Sequence, residues 1–160
     1  MSEWLKGTFY PVNRSKCVNT KKIVYRSSYE LRFMNYLDLN TNVIKWGSEV
    51  ITIPYINEVD NEKHNYLVDF YAEILDVNKN LHRYLVEVKP KKQSEQLDES
   101  GNLLLPPPPK KKSQKALYNY QVSVNIIRKN HSKWKYAKEF CRKNGLEWLV
   151  ITEDDLFPNR

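Results

Sequence analysis

The sequence predicts an α/β domain in which a mixed sheet is flanked by helices, and three observations predict it. An amphipathic helical segment lies near residue 30, several extended segments occupy the middle of the chain, and two helical segments followed by a short apolar run close it. That order of elements suits layers of helix packed on sheet. At 160 residues with 41% hydrophobic side chains, the chain has room for one domain with one core.

Taken in order, residues 1–24 contain Gly7, Pro11 and scattered basic side chains, and read as an extended N-terminal arm that must dock to become ordered. The main domain is expected over 25–160. In YRSSYELRFMNYLDLN, Phe33, Met34 and Leu37 fall at helical spacing, with Ser27 as N-cap and Asn40 as stop, which predicts about four turns. Val43 to Ile56 reads as extended chain, with Pro54 marking an edge or a bend. A second strand is expected near Tyr66 to Leu75 and a third near His82 to Val88. The short DVNKN connection makes these two an antiparallel hairpin.

Residues 90–114 have no period and contain the run PPPPKKK, so a flexible surface excursion is expected at about 93–114. Its prolines favour a polyproline II segment of about 12 Å that projects Lys110, Lys111 and Lys112 outward. A helix is expected from Lys115 to Lys129 and another from Ser132 to Asn144, closed by Gly145. LEWLVIT (146–152) is nearly all apolar and too short for a helix, which predicts a buried strand.

Composition excludes several classes. No apolar run approaches the roughly 20 residues of a membrane span, and the N-terminus lacks the apolar stretch of a signal peptide, so an intracellular protein is expected. Cys17 and Cys141 are too few for a disulfide framework or a four-cysteine zinc site, and reduced thiols are expected. The net charge of +7 is unevenly spread: residues 30–88 carry 10 acidic and 5 basic side chains, whereas 89–143 carry 4 and 14. An acidic middle beside a basic segment suits carboxylate chemistry on a polyanion, although an unevenly charged solvated surface would read the same way.

The candidate chemistry lies on the helix and the hairpin. Strand alternation puts Glu87 and Lys89 on one face about 6.6 Å apart, with Val86 and Val88 on the other. Asp69 interrupts an apolar strand, and hairpin pairing could bring it beside Glu87, although sequence does not fix the register. Two such carboxylates would repel unless a cation joined them; taken by themselves, they read first as salt-bridge partners of Lys89. Glu30 sits at the N-terminal end of the helix's apolar face, pointing to the sheet, and Ser27-x-x-Glu30 also has the form of a capping box. Glu49 could approach the same place or remain a solvated strand carboxylate. His64, His82 and His131 share no metal-ligand spacing and read as surface residues, and Trp46, Trp134 and Trp148 as packing. For the phosphates of such a polyanion the mobile cations near this region are Arg26, Lys91, Lys92 and Lys110 to Lys112; no base-reading motif is visible.

Glu30, Asp69 and Glu87-Val88-Lys89, in this order and setting, resemble the PD-(D/E)xK nuclease superfamily, with Val68 where a proline usually precedes the Asp. The segments YRSSYE (25–30), VIKWGSE (43–49), IPY (53–55), YLVDFY (66–71), VEVKPKK (86–92) and KWKYAKEFCRKNGLEWLVITEDDL (133–156) resemble the TnsA-like group of transposition endonucleases and phage head completion nucleases. KGTFYPVNRSK (6–16) is similar to the T-even-like head completion nucleases within it. The resemblance covers nearly the whole chain except the excursion. It implies a restriction-endonuclease-like core and hydrolysis of DNA phosphodiesters. Mg²⁺, or Mn²⁺ in its place, would be held by Asp69, Glu87 and the Val88 carbonyl, with Lys89 beside the attacking water and Glu30 as an outer ligand. The implied partners are double-stranded DNA and phage head portal or neck proteins, and the implied location is the host cytoplasm or the virion. The alternatives are a structural head-tail joining protein and a DNA-binding protein without catalysis.

Overall fold

The computed structural model describes residues 5–158, so the first four residues of the N-terminal arm lie outside the described residues. The remainder of the arm is docked. Strand β1 (Gly7–Phe9) pairs antiparallel with β2 (Ile23–Tyr25), and a 3₁₀ turn (Arg14–Lys16) lies between them. Buried Asp38 holds the arm by accepting hydrogen bonds from the Val12 and Asn13 N–H groups at 2.8 and 3.1 Å. Helix α1 (Ser28–Leu39) begins and ends at the expected caps, Ser27 and Asn40, and its 12 residues make a little over three turns.

The expected strand over 43–56 is two strands, β3 (Val43–Ser48) and β4 (Thr52–Asn57), which belong to different sheets. The expected strand over 66–75 likewise divides into β5 (Glu62–Leu67) and β6 (Phe70–Leu75). The cause is a change of pairing partner: β4 and β5 pair with each other as a separate hairpin, whereas β3 pairs with β6. Glu49, with φ of 54°, turns the chain out of the first sheet, and the bonds Glu49 N–H to Asp69 O and Val68 N–H to Ile51 O, both 3.0 Å, close the root of the hairpin. Pro54 lies in this two-stranded sheet, where a missing N–H costs no central ladder bond.

Strand β7 (Leu81–Val88) pairs antiparallel with β6 as expected, across the turn Asp76–Asn80. The two expected C-terminal helices are one 31-residue helix, α2 (Gln114–Asn144). Asn130 and Ser132 do not stop it: the Asn130 amide donates to the Gln93 carbonyl at 3.1 Å, and the Ser132 hydroxyl bonds back to the Arg128 carbonyl at 3.0 Å. Gly145 ends the helix at φ 66°, the left-handed conformation that favours glycine. Strand β8 (Glu147–Ile151) runs parallel to β7, giving a mixed sheet of order β3-β6-β7-β8. It is an edge strand rather than a buried one, with Leu149 38% exposed: among the described residues only β7 pairs with it. A short helix, α3 (Glu153–Leu156), follows.

The sheet separates two apolar clusters. On the α1 side lie Phe33, Met34, Leu37, Trp46, Phe70, Val86 and Val88; on the α2 side lie Ile53, Tyr55, Tyr66, Leu85, Trp134 and Ala137. Alternation along β7 sends Leu85 and Glu87 to the second side. Cys17 and Cys141 are free, buried and in different clusters. Trp148 packs at the margin of the second. Between β7 and α2 the excursion has a 3₁₀ turn (Lys91–Gln93) and one isolated bridge, Leu97 to Leu103. It is tied to α2 where Glu95 pairs with His131 at 2.7 Å and with Lys138, and where the Tyr120 hydroxyl donates to the Pro106 carbonyl at 3.0 Å. Among the described residues, no helix is long and apolar enough to cross a membrane.

Candidate active site

The register settles what sequence left open. Phe70 pairs with Val86, so one residue further Asp69 stands opposite Glu87 at the end of the β6–β7 ladder. Asp69 is not in mid-strand but at the bend where the chain passes from the hairpin into the central sheet. Its Oδ2 accepts the Val88 N–H at 2.9 Å, which fixes the carboxylate across the strand end. Glu87 is 3% exposed. Lys89 places its ammonium 3.5 Å from Glu87 Oε1, and the Tyr66 hydroxyl donates to Oε2. Both oxygens of a buried carboxylate are therefore positioned by neighbours, as burial of a charge requires.

Glu30 reaches the same region from the start of α1. Its N–H donates to the Ser27 hydroxyl at 3.1 Å, which is the first half of a capping box. Its carboxylate does not complete the box on the Ser27 N–H; Oε2 accepts the Arg26 N–H at 2.7 Å instead. Burial pushes the Glu30 carboxyl above its ordinary range, opposed by the Arg26 N–H, and the Glu49 and Glu87 carboxylates add to the upward push. Burial followed by the Glu87 charge raises the Asp69 carboxyl well above its ordinary range, against the Val88 N–H and Lys89. Glu30 adds to that upward push on Asp69. Glu30, Asp69, Glu87 and Lys89 are thus within electrostatic reach of one another.

Two members of this group were not singled out in the sequence. Tyr66, on β5, has its hydroxyl raised far above the tyrosine range by burial and by Glu87 and Asp69. Lys133, on α2, lies with its ammonium 5.2 Å from the centre of the Tyr66 ring. Burial lowers it from the ordinary lysine range, an effect Glu87 opposes. Tyr66 looked like a strand aromatic and Lys133 like a helix-surface cation. Only the docking of the hairpin on α2 joins them to Glu87.

The expected phosphate-contacting cations are differently placed. Arg26 is paired with Glu49, which therefore lies at the margin of the cluster, and Lys91 with Asp154 at 2.7 Å. Lys92 is exposed in the turn after Pro90, and Lys110, Lys111 and Lys112 are exposed just before α2. His64 and His82 are partly exposed and paired with Asp60 and with Asp76 and Glu147. His64 is not isolated, however: with Asp60 and Glu62 it brings three ligand atoms within 4.8 Å at the tip of the β4–β5 hairpin, the opposite end from Asp69. Sequence missed that group because it needs the hairpin turn to close.

Hard oxygen donors dominate the main cluster, namely the Asp69 and Glu87 carboxylates and the Val88 carbonyl beside them, a set that suits a hard divalent cation. Burial first, and then the Glu87 and Glu30 charges, raise the Asp69 carboxyl, and a bound cation would offset the part that comes from those charges.

The TnsA-like endonuclease N-terminal family matches residues 40–153, a span that contains Asp69, Glu87, Lys89 and Lys133. The chain is 32% identical over 151 residues to the head completion nuclease of Enterobacteria phage T4, covering 94% of this chain and 92% of that protein. With the family match spanning most of the chain and the phage relative nearly all of it, the protein belongs to the TnsA-like endonuclease family.

Proposed function

We propose that this protein is a Mg²⁺-dependent deoxyribonuclease that hydrolyses phosphodiesters of double-stranded DNA during completion of a phage head, with Mn²⁺ as a substitute metal. The observation that carries the reading is the placement of Asp69 opposite Glu87 with Lys89 on the same strand end. Asp69, Glu87 and the Val88 carbonyl would hold the metal, which would supply Lewis acidity toward the scissile phosphate and acidify a water.

The protein's own groups have distinct tasks. Val88 N–H and Tyr66 O–H orient the two carboxylates. Lys89 orients the attacking water and offsets charge that develops on the phosphate. Glu30 serves as an outer ligand from the helix end. Lys91, Lys92 and Lys110 to Lys112 hold DNA by its phosphates, and Arg26 joins them on release from Glu49. The name of the phage relative, a head completion nuclease, supports a nuclease acting in head completion; on this reading its substrate is packaged DNA, its place the host cytoplasm or virion, and its neighbours portal or neck proteins.

The test is plasmid nicking with and without Mg²⁺, by the wild type and Glu87→Gln. Metal-dependent nicking that the substitution removes supports the reading. A wild type that binds DNA without cleaving it, or joins heads without cleavage, returns the protein to a binding or structural role.

A further inference from the structure

Lys133 occupies an unusual position for a lysine. Its neighbour Trp134 is fully buried, and Lys133 itself is half-buried against the ring of Tyr66, the residue whose hydroxyl holds Glu87. Among the described residues no carboxylate lies within ion-pair distance of its ammonium. Held over the Tyr66 ring, the cation is within electrostatic reach of Glu87, Asp69 and Lys89, together with Lys129. An ammonium carries three donors, and the ring face satisfies the charge without using them as a carboxylate would.

Lys129 precedes Lys133 by four residues on α2, so the two stand on one face, about 5–6 Å apart at Cβ. Phosphates follow one another on each DNA strand about every 3.4 Å of helix axis. Two flexible lysine stems one helical turn apart can therefore take neighbouring phosphates of a single strand.

We infer that Lys133 binds a phosphate of the strand being cut, from the side of the site opposite the α1 end, and that Lys129 binds a neighbouring phosphate, so that α2 forms a phosphate track into the carboxylate cluster. The inference rests on the nuclease reading of that cluster and adds to it which helix the strand follows. It gives α2 the role that Arg26 and Lys91, tied to Glu49 and Asp154, fill less readily.

The test measures affinity for a fluorescently labelled 30-base-pair duplex against log salt, with Ca²⁺ replacing Mg²⁺, using the full chain and its Lys133→Gln, Lys133→Arg and Lys129→Gln variants. Each lost contact should reduce the slope by about 0.9. Lys133→Gln and Lys129→Gln should each lose about that amount, and Lys133→Arg should keep the wild-type slope. With Mg²⁺ and saturating DNA, the single-turnover rate of Lys133→Gln should fall at least about tenfold, because the phosphate is less firmly oriented. A wild-type slope in Lys133→Gln overturns the inference. If Lys133→Gln fails to fold, exposed Lys129→Gln decides the track by the same slope. Absence of Mg²⁺-dependent cleavage by the wild type would instead overturn the nuclease reading, and the slope, which does not depend on turnover, is read separately.

Discussion

Replacing Asp69 with Asn should make the metal-free protein more stable while removing its Mg²⁺-dependent cleavage. The folded-state carboxyl is raised well above its ordinary value near 3.8 by burial and by Glu87. A raised pKa means that the folded chain holds a proton the unfolded chain has already released, so stability declines as pH climbs from that value through the folded one. Above that window the penalty is complete. Each unit of displacement is worth about 1.36 kcal/mol, and a chain of this size gains about 2–4 °C in Tm per kcal/mol. The neutral amide avoids the penalty and its carbonyl can still accept the Val88 N–H. Thermal melts in chelator should show the Asn variant above wild type at pH 8 by about 3–5 °C per unit of displacement. The gap should shrink toward pH 4. Mg²⁺ at about 100 times its Kd should then add about 2.7 kcal/mol to the wild type and little to the variant. A variant that melts at or below the wild type in chelator at pH 8 would refute the electrostatic reasoning, and one that nicks DNA normally would refute the site.

Two further outcomes follow from the structure. Glu30→Gln preserves the Ser27 half of the cap and should leave Tm within about 1–2 °C, because one cap-related bond is altered at most; if Glu30 serves the site, turnover falls by orders of magnitude, and near-normal turnover would make it a helix-end residue. Replacing Lys110, Lys111 and Lys112 together with Ala should lower the salt slope of DNA affinity by up to about 3 while leaving saturating turnover unchanged; parallel lines would show that the excursion does not touch DNA.

Local signals in the sequence resolved some elements and hid others. Ser27 and Asn40 bound α1 because caps act within a turn, and the Asp76–Asn80 turn with alternating flanks identified the β6–β7 hairpin. Glu30, Asp69, Glu87 and Lys89 could be picked out one by one as charged side chains within or at the ends of apolar segments, whereas their convergence depends on the register. The division of 43–56 was concealed because Val50, Ile51 and Thr52 keep a strand-like composition through the change of sheet. Asn130 and Ser132 looked like a helix end since their side chains compete with the backbone, yet in the fold they bond to Gln93 and Arg128 and the helix continues. The edge position of β8 depends on strand order, and the joining of Tyr66 and Lys133 to Glu87 depends on packing between distant segments. Neither has a local signature.

The closed root of the β4–β5 hairpin divides that insertion into a part that can drift and a part that cannot. The chain leaves the central sheet at Ser48 and rejoins it at the paired Phe70, so the turn between Asn57 and Glu62 could lengthen or shorten without altering either flank. At the root the reverse holds. Asp69 is the last residue before re-entry, its carbonyl bonds to Glu49 N–H and its side chain to Val88 N–H. One added residue there would shift the carboxylate out of line with Glu87. Relatives of this protein should therefore show their length differences at the outer turn and a constant spacing inward from Tyr66.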